Sequence, residues 1–320
     1  MPAPTKDLSV VQQGPRLLLS FAYPQVTPAG TALEGISAVE IWTASRPAVE
    51  GKANPMDSRE FNAAAKLAQK LAGADLTAAT EGDRVNVLLP LPETSAGAAP
   101  QAQYFAIRTF GKEGDRSDLS NVASLVPKAP PAAPARVNVT ARADGVLVEW
   151  SGVEGATAGY NVYRRSSQER AHGRPIHVAG QAERSWLDTT ARFGESYIYT
   201  VTALAQQEPV VESAITSEHE VRYQDRFAPP APTELVALAE TGRVRLVWRA
   251  SEADDLAGYL VYRRVGESGA FERLTAQPVD VAEFNDTAVR GGESYSYRVT
   301  AVDQTGNESA PGGEVRAVVP

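Results

Sequence analysis

Apolar and polar positions in this chain mostly alternate in short runs, and residues 1–127 show both the rule and one departure from it. Leu8, Val10 and Gln12 alternate with more polar neighbours up to Gly14-Pro15, as an edge strand closed by a turn does. Leu17-Leu18-Leu19-Ser20-Phe21 predicts a second strand, and Ile36 to Thr43 a third with Trp42 in it. Val85, Val87 and Leu89 resume the two-residue period, Phe105 and Ile107 fall in a further strand, and Asn121 to Val126 in the last. Between Thr43 and Val85 the period changes. Asp57 stands three residues before Glu60, the spacing of a capping box. Phe61, Ala64, Ala65, Ala68 and Leu71 recur at helical spacing, and Gly73 is placed to end the run. The spacing predicts a helical insertion near residues 57–73.

The rest of the chain repeats itself. Ala158-Gly159-Tyr160-Asn161-Val162-Tyr163-Arg164-Arg165 returns 99 residues later as Ala257-Gly258-Tyr259-Leu260-Val261-Tyr262-Arg263-Arg264, with seven of eight positions identical. An offset of that size is a repeated domain and not a short solenoid unit. Val146 to Trp150 and Val244 to Trp248 precede the two copies as strands ending in tryptophan. Gly194 to Ala203 and Gly292 to Ala301 follow them and match at eight of ten positions. Alternation along Tyr295, Tyr297, Val299 and Ala301 puts one face of that strand in a core. Tyr259 and Val261 share the inward face of the repeated motif, with Arg263 on it near the strand end. Leu260, Tyr262 and Arg264 point outward. Pro127 to Pro134 and Phe227 to Pro232 are proline-rich linkers, a composition that favours semi-rigid spacing.

Composition narrows the classes of function. The 320 residues carry 43% hydrophobic and 22% charged side chains, ordinary values for globular domains. The formal net charge is −8, and acidic residues outnumber basic ones in each of the stretches 1–127, 128–227 and 228–320. A nucleic-acid partner and direct membrane insertion are therefore not expected. No cysteine occurs, so disulfides, thiolate zinc sites and cysteine nucleophiles drop out. Met1 to Lys6 has no basic and apolar leader pattern, so any signal or lipoprotein leader is absent from this sequence.

The order of a proline-bounded entry, a strand ending in Trp150 or Trp248, the GYxVYR motif and the YxYxVxA strand resembles the fibronectin type III domain. The resemblance implies an all-β chain of three tandem fibronectin type III-like (Ig-like) β-sandwiches. It divides the chain into 1–127, divergent and carrying the helical insertion, 128–227 and 228–320. It also implies that Trp150 and Trp248 pack in cores and that Tyr197 and Tyr295 are tyrosine-corner residues. Gln103 takes the corner position in the first segment, where Phe21 takes the place of the tryptophan.

Candidate chemistry is sparse. His172, His177 and His219 show no metal-ligand spacing, and no nucleophile-elbow or phosphate-loop motif occurs, so no cofactor and no enzymatic activity are expected. Glu252, Asp254 and Asp255 precede the third strand of the last segment, and Asp303, Asn307 and Glu308 lie in the loop after the Gly292 to Ala301 strand. The fold implied by the resemblance brings these loops to one end, where Asp254, Asp255, Asp303 and Asn307 could supply hard oxygen ligands to calcium. Trp42, Tyr163 and Tyr262 occupy the same outward position of the third strand in the three segments. They are the candidate partner surface, read either as aromatic platforms for a protein or glycan partner or as packing residues. The departure from the repeat around Trp42 and the insertion is the expected recognition region. The function expected is a non-enzymatic, extracytoplasmic adhesion, scaffolding or spacer protein, secreted, periplasmic or lipid-anchored. The alternatives are a carbohydrate-binding accessory protein and a homo-oligomeric subunit of a surface assembly or filament.

Overall fold

A computed structural model describes residues 1–92, 99–170 and 172–320. The chain falls into two compact units, Met1–Tyr223 and Gln224–Pro320.

The first unit begins with β1 (Ser9–Gln13), β2 (Arg16–Ala22), β3 (Ile36–Pro47), α1 (Ser58–Ala64), β4 (Lys66–Ala72), α2 (Gly73–Ala79), β5 (Thr80–Glu81), β6 (Arg84–Pro90), β7 (Gln101–Gly111) and β8 (Ala123–Leu125). One sheet runs β4-β3-β7-β8, and β1-β2-β6-β5 faces it. Leu17, Leu19, Phe21, Val39, Ile41, Val85, Val87, Phe105 and Ile107 are buried between them, where each side chain contributes about 1.5–3 kcal/mol of transfer free energy.

The insertion departs from the expected single helix. Asp57 caps α1 through a capping box with Glu60, but the helix stops at Ala64. Lys66–Ala72 turns extended and pairs with β3, placing Leu71 opposite Val39. Gly73 opens α2 instead of closing α1. A helix of two turns is marginal in water, whereas the open edge of β3 offers a row of unpaired backbone donors and acceptors. The edge wins over the helical spacing.

The unit continues with β9 (Val137–Arg142), β10 (Gly145–Trp150), β11 (Gly159–Ser166), β12 (His177–Ala179), β13 (Ser185–Asp188), β14 (Ser196–Gln206), β15 (Val211–Glu212) and β16 (His219–Arg222). The sheet β13-β10-β9 faces β12-β11-β14, with β15 and β16 both pairing β14. Trp150 packs in the core, 5.7 Å from the Tyr160 ring. Arg192 N–H donates to Tyr197 Oη at 3.2 Å, which is the corner bond that the resemblance implies.

A backbone ladder crosses the expected boundary near residue 127. Strand β15 pairs antiparallel with β14 and parallel with β1. Gln12 N–H donates to Val210 O at 3.0 Å and Gly14 N–H to Glu212 O at 2.9 Å. The result is one nine-stranded sheet running β12-β11-β14-β15-β1-β2-β6-β5, with β16 branching from β14. The first linker is not a free spacer. Lys128 O accepts from Gln12 Nε2 at 2.6 Å, and Lys128 N–H donates to Gln12 Oε1 at 3.0 Å.

The second unit contains β17 (Thr233–Glu240), β18 (Arg243–Arg249), β19 (Leu256–Val265), β20 (Glu272–Arg273), β21 (Glu283–Asp286), β22 (Ser294–Asp303) and β23 (Glu314–Val318). Its sheets are β17-β18-β21 and β20-β19-β22-β23. Trp248, Tyr259, Val261, Tyr295, Tyr297 and Val299 fill the core. Arg290 N–H donates to Tyr295 Oη at 2.9 Å.

Candidate functional site

The outward position of the third strand has three different environments. Tyr163 is only 6% exposed. Its hydroxyl donates to Glu212 Oε2 at 2.9 Å. Glu212 is fully buried, and it also accepts from Asn161 Nδ2 at 3.0 Å, Thr202 Oγ1 at 2.5 Å and Gln13 Nε2 at 2.8 Å. Tyr163 therefore belongs to the joint at β15 and offers no platform. Burial, and then the Glu212 carboxylate, push its hydroxyl far above the ordinary range, which keeps it a protonated donor.

Tyr262 is half-buried. Its hydroxyl donates to Glu308 Oε1 at 2.6 Å, an oxygen that also accepts from Thr300 Oγ1 at 2.7 Å. Trp42 is half-buried too. It packs against a buried group formed by Ala44, Phe61, Tyr104 and Val126, and the Arg108 guanidinium lies 5.9 Å from its ring. Phe61 comes from α1, so the insertion covers this face of the sheet.

In the two repeated sandwiches the inward arginine closes the third strand with a buried carboxylate. Arg164 Nη1 and Tyr199 Oη each donate to Asp188 Oδ2 at 2.7 Å. Arg263 Nη1 donates to Asp286 Oδ2 at 2.9 Å, and Tyr297 Oη to the same oxygen at 2.9 Å. The Arg263 head, near the strand end, is held by this carboxylate and donates to Ala288 O at 2.8 Å. Burial would raise the Asp188 carboxyl, but hydrogen bonds from Thr190 and Tyr199 and the charge of Arg164 outweigh it and hold the group low.

The carboxylate candidates partly converge. Asp225, Asp255 and Asp303 place ligand oxygens within 4.8 Å of one another in the second unit. Asp254 is exposed and lies outside this group. Asn307 Nδ2 donates to Asp303 Oδ2 at 2.8 Å and to Asp225 Oδ1 at 3.4 Å. Asp303 is buried. It also accepts from Thr305 N–H at 2.9 Å and Asn307 N–H at 2.8 Å. Burial pushes its carboxyl up, but the bonds from Asn307 and Thr305 prevail and lower it. Three hard carboxylates at this separation suit a calcium-type ion in chemistry, short of its usual six to eight oxygens. Asp225 precedes the second proline-rich linker, and its only signal in the sequence is an acidic side chain beside a turn-forming segment. The histidines lie elsewhere. His177, for example, stacks on Trp186 at 4.8 Å.

These features define a class: an all-β chain built from fibronectin type III-like sandwiches. No protein-family model matches it. Part of the chain is similar to an amylopullulanase of Thermoanaerobacterium saccharolyticum, 42% identical over 86 residues, which are 27% of this chain and 6% of that protein. A longer stretch is similar to exoglucanase B of Cellulomonas fimi, 27% identical over 237 residues, 68% of this chain and 20% of that protein. Among solved structures, an Fn3-like protein from Clostridium thermocellum is 28% identical, with 29% of this chain and 96% of that chain covered and a TM-score of 0.26. The FN1–FN3 domains of chicken CNTN1 are 12% identical, with 99% of both chains covered and a TM-score of 0.30. The chain thus spans 6% and 20% of the length of the two enzymes it resembles. No helix among the described residues is long and apolar enough to cross a membrane.

Proposed function

We propose that this chain is a non-catalytic, extracytoplasmic scaffolding and spacer region that holds other parts of an assembly at a set separation and offers surfaces for protein contacts. The observation that carries the reading is the ladder from β15 to β1. It fuses two sandwiches through backbone hydrogen bonds and a buried carboxylate, an arrangement suited to transmitting position and unneeded in a loose tether. The absence of cysteine makes the test clean. Spin labels attached through Leu88→Cys in β6 and Val178→Cys in β12, both about half exposed, report the separation of the two sandwiches. A single narrow distance distribution is expected from double electron–electron resonance. A broad or multi-peaked one would remove the basis for the reading.

A second reading has its own support. The relatives are named as an amylopullulanase and an exoglucanase, and a non-catalytic region of such proteins is well placed to hold a glycan near its enzyme. Affinity electrophoresis of the full chain in gels with soluble starch or hydroxyethyl cellulose checks it. Retardation supports a carbohydrate accessory role, and unchanged migration in both gels counts against it.

A further inference from the structure

We propose that the cavity beside the insertion in the first sandwich is a binding site for a short neutral oligosaccharide, an inference that rests on the carbohydrate reading above. The cavity has a volume of about 530 Å³, within the usual range of about 300–1,000 Å³ for small-ligand sites. The insertion builds one wall through Leu76, Thr77 and Thr80, and the sandwich supplies Tyr23, Ser37 and Lys112.

The lining chemistry selects a polyol. Thr77 Oγ1 donates to Gly73 O at 3.0 Å, Thr80 Oγ1 to Leu76 O at 2.7 Å, and Ser37 Oγ to Gly111 O at 2.7 Å. Each hydroxyl has committed its proton inside the protein and presents lone pairs, so it meets a donor such as a sugar O–H. Tyr23 Oη is the complement. It accepts from Ile36 N–H at 3.0 Å and keeps its own proton to donate. The Lys112 ammonium adds further donors and is the one formal charge among the described lining residues. Tyr23 offers ring surface, and buried Leu76 offers an apolar contact, the complement of the C–H face of a pyranose ring. Gly35 keeps the arrangement open. A Cβ there would lie 3.3 Å from Tyr23 Oη and 3.8 Å from Lys112 Cε, on a backbone with φ of +117°.

The test is calorimetry of the full chain with maltohexaose and with cellohexaose, repeated on Thr77→Trp and Lys112→Ala. Both positions are exposed, and circular dichroism verifies that the variants fold. Binding of one hexaose, weakened at least tenfold by Thr77→Trp and measurably by Lys112→Ala, is expected, and the responding sugar tells α- from β-linked glucan. Binding undiminished in both variants overturns this site but leaves the carbohydrate reading standing. No binding of either sugar, together with no retardation by either polysaccharide, overturns both. Inorganic phosphate binding through Lys112 in place of sugar would reassign the cavity to anions and overturn the proposal.

Discussion

Replacing Glu212 with glutamine probes the joint with almost no change of shape. Oε2 of Glu212 accepts from Tyr163 at 2.9 Å, Asn161 at 3.0 Å and Thr202 at 2.5 Å. Oε1 accepts from Gln13 at 2.8 Å and Tyr163 at 3.1 Å. In Glu212→Gln an amide NH₂ must replace one of these oxygens: in place of Oε2 it faces the buried Asn161 amide and two hydroxyls, and in place of Oε1 it obliges the half-buried Gln13 amide to turn over. Hydrogen bonds to a charged group contribute about 1.5–3 kcal/mol each. Relief from burying the charge offsets part of the loss. The expected net destabilisation is about 2–4 kcal/mol, against about 1 kcal/mol for Tyr163→Phe, which leaves the carboxylate three other donors. Urea titrations followed by circular dichroism measure both, and the double variant should show a coupling of about 0.5–3 kcal/mol. Amide exchange at Gln12 and Gly14 should speed up in Glu212→Gln, because their ladder depends on β15. A Glu212→Gln variant within about 0.5 kcal/mol of the parent, with unchanged exchange at Gln12, would refute the idea that this carboxylate holds the joint.

Other outcomes follow from the same geometry. Gly14 has φ of +55°, and a Cβ there would lie 2.9 Å from Ala214 N. Gly14→Ala should cost about 2 kcal/mol and broaden the label-to-label distance distribution. Phe61, on the inner face of α1, is fully buried, so Phe61→Ala should cost about 3–5 kcal/mol in thermal or urea unfolding and shift Trp42 emission. The Asp188 carboxyl titrates below its unfolded value of about 3.9. Its stabilising contribution is complete above that value and lost as pH falls through the lower folded one. Melting curves from pH 6 to pH 2 should therefore be flatter in Asp188→Asn. Melting the chain with and without millimolar calcium tests the carboxylate group: a rise in melting temperature that is lost in Asp255→Asn would mark a site. Absence of both heat and shift would dispose of a calcium site at Asp225, Asp255 and Asp303.

Much of the fold was legible in local period and in repetition. Tyr259 and Val261 face inward as alternation requires; that Trp150 and Trp248 are core residues and that Tyr197 and Tyr295 make the corner bonds came from the resemblance to the fibronectin type III domain, not from the period. The misread stretch is Lys66–Ala72. Its alanines and lysines suit a helix by propensity, and only the neighbouring edge of β3, nearly thirty residues upstream, decides otherwise. The role of Tyr163 was hidden for a related reason. An outward position on a strand is solvent-facing until another strand covers it, and Glu212 arrives from a two-residue strand too short to show a period. Asp225 was missed because convergence of carboxylates is set by where a linker runs, which composition does not encode.

The joint also imposes an order in time. Gln13 and its partner Glu212 are 199 residues apart, whereas β1 finds β2 across a tight turn. Closing the short loop carries a far smaller entropic cost, so the first hairpin forms while β15 is still unmade or unfolded. Until then the outer edge of β1 is bare, and a bare edge will take any strand of suitable register. A β15 from a neighbouring chain satisfies it as well as the chain's own, so crowded refolding should yield exchanged dimers and dilute refolding monomers. Pulse-labelled hydrogen exchange should find the Gln12 amide protected later than that of Leu19; simultaneous protection would show that the joint assembles with the hairpin and is not a late lock.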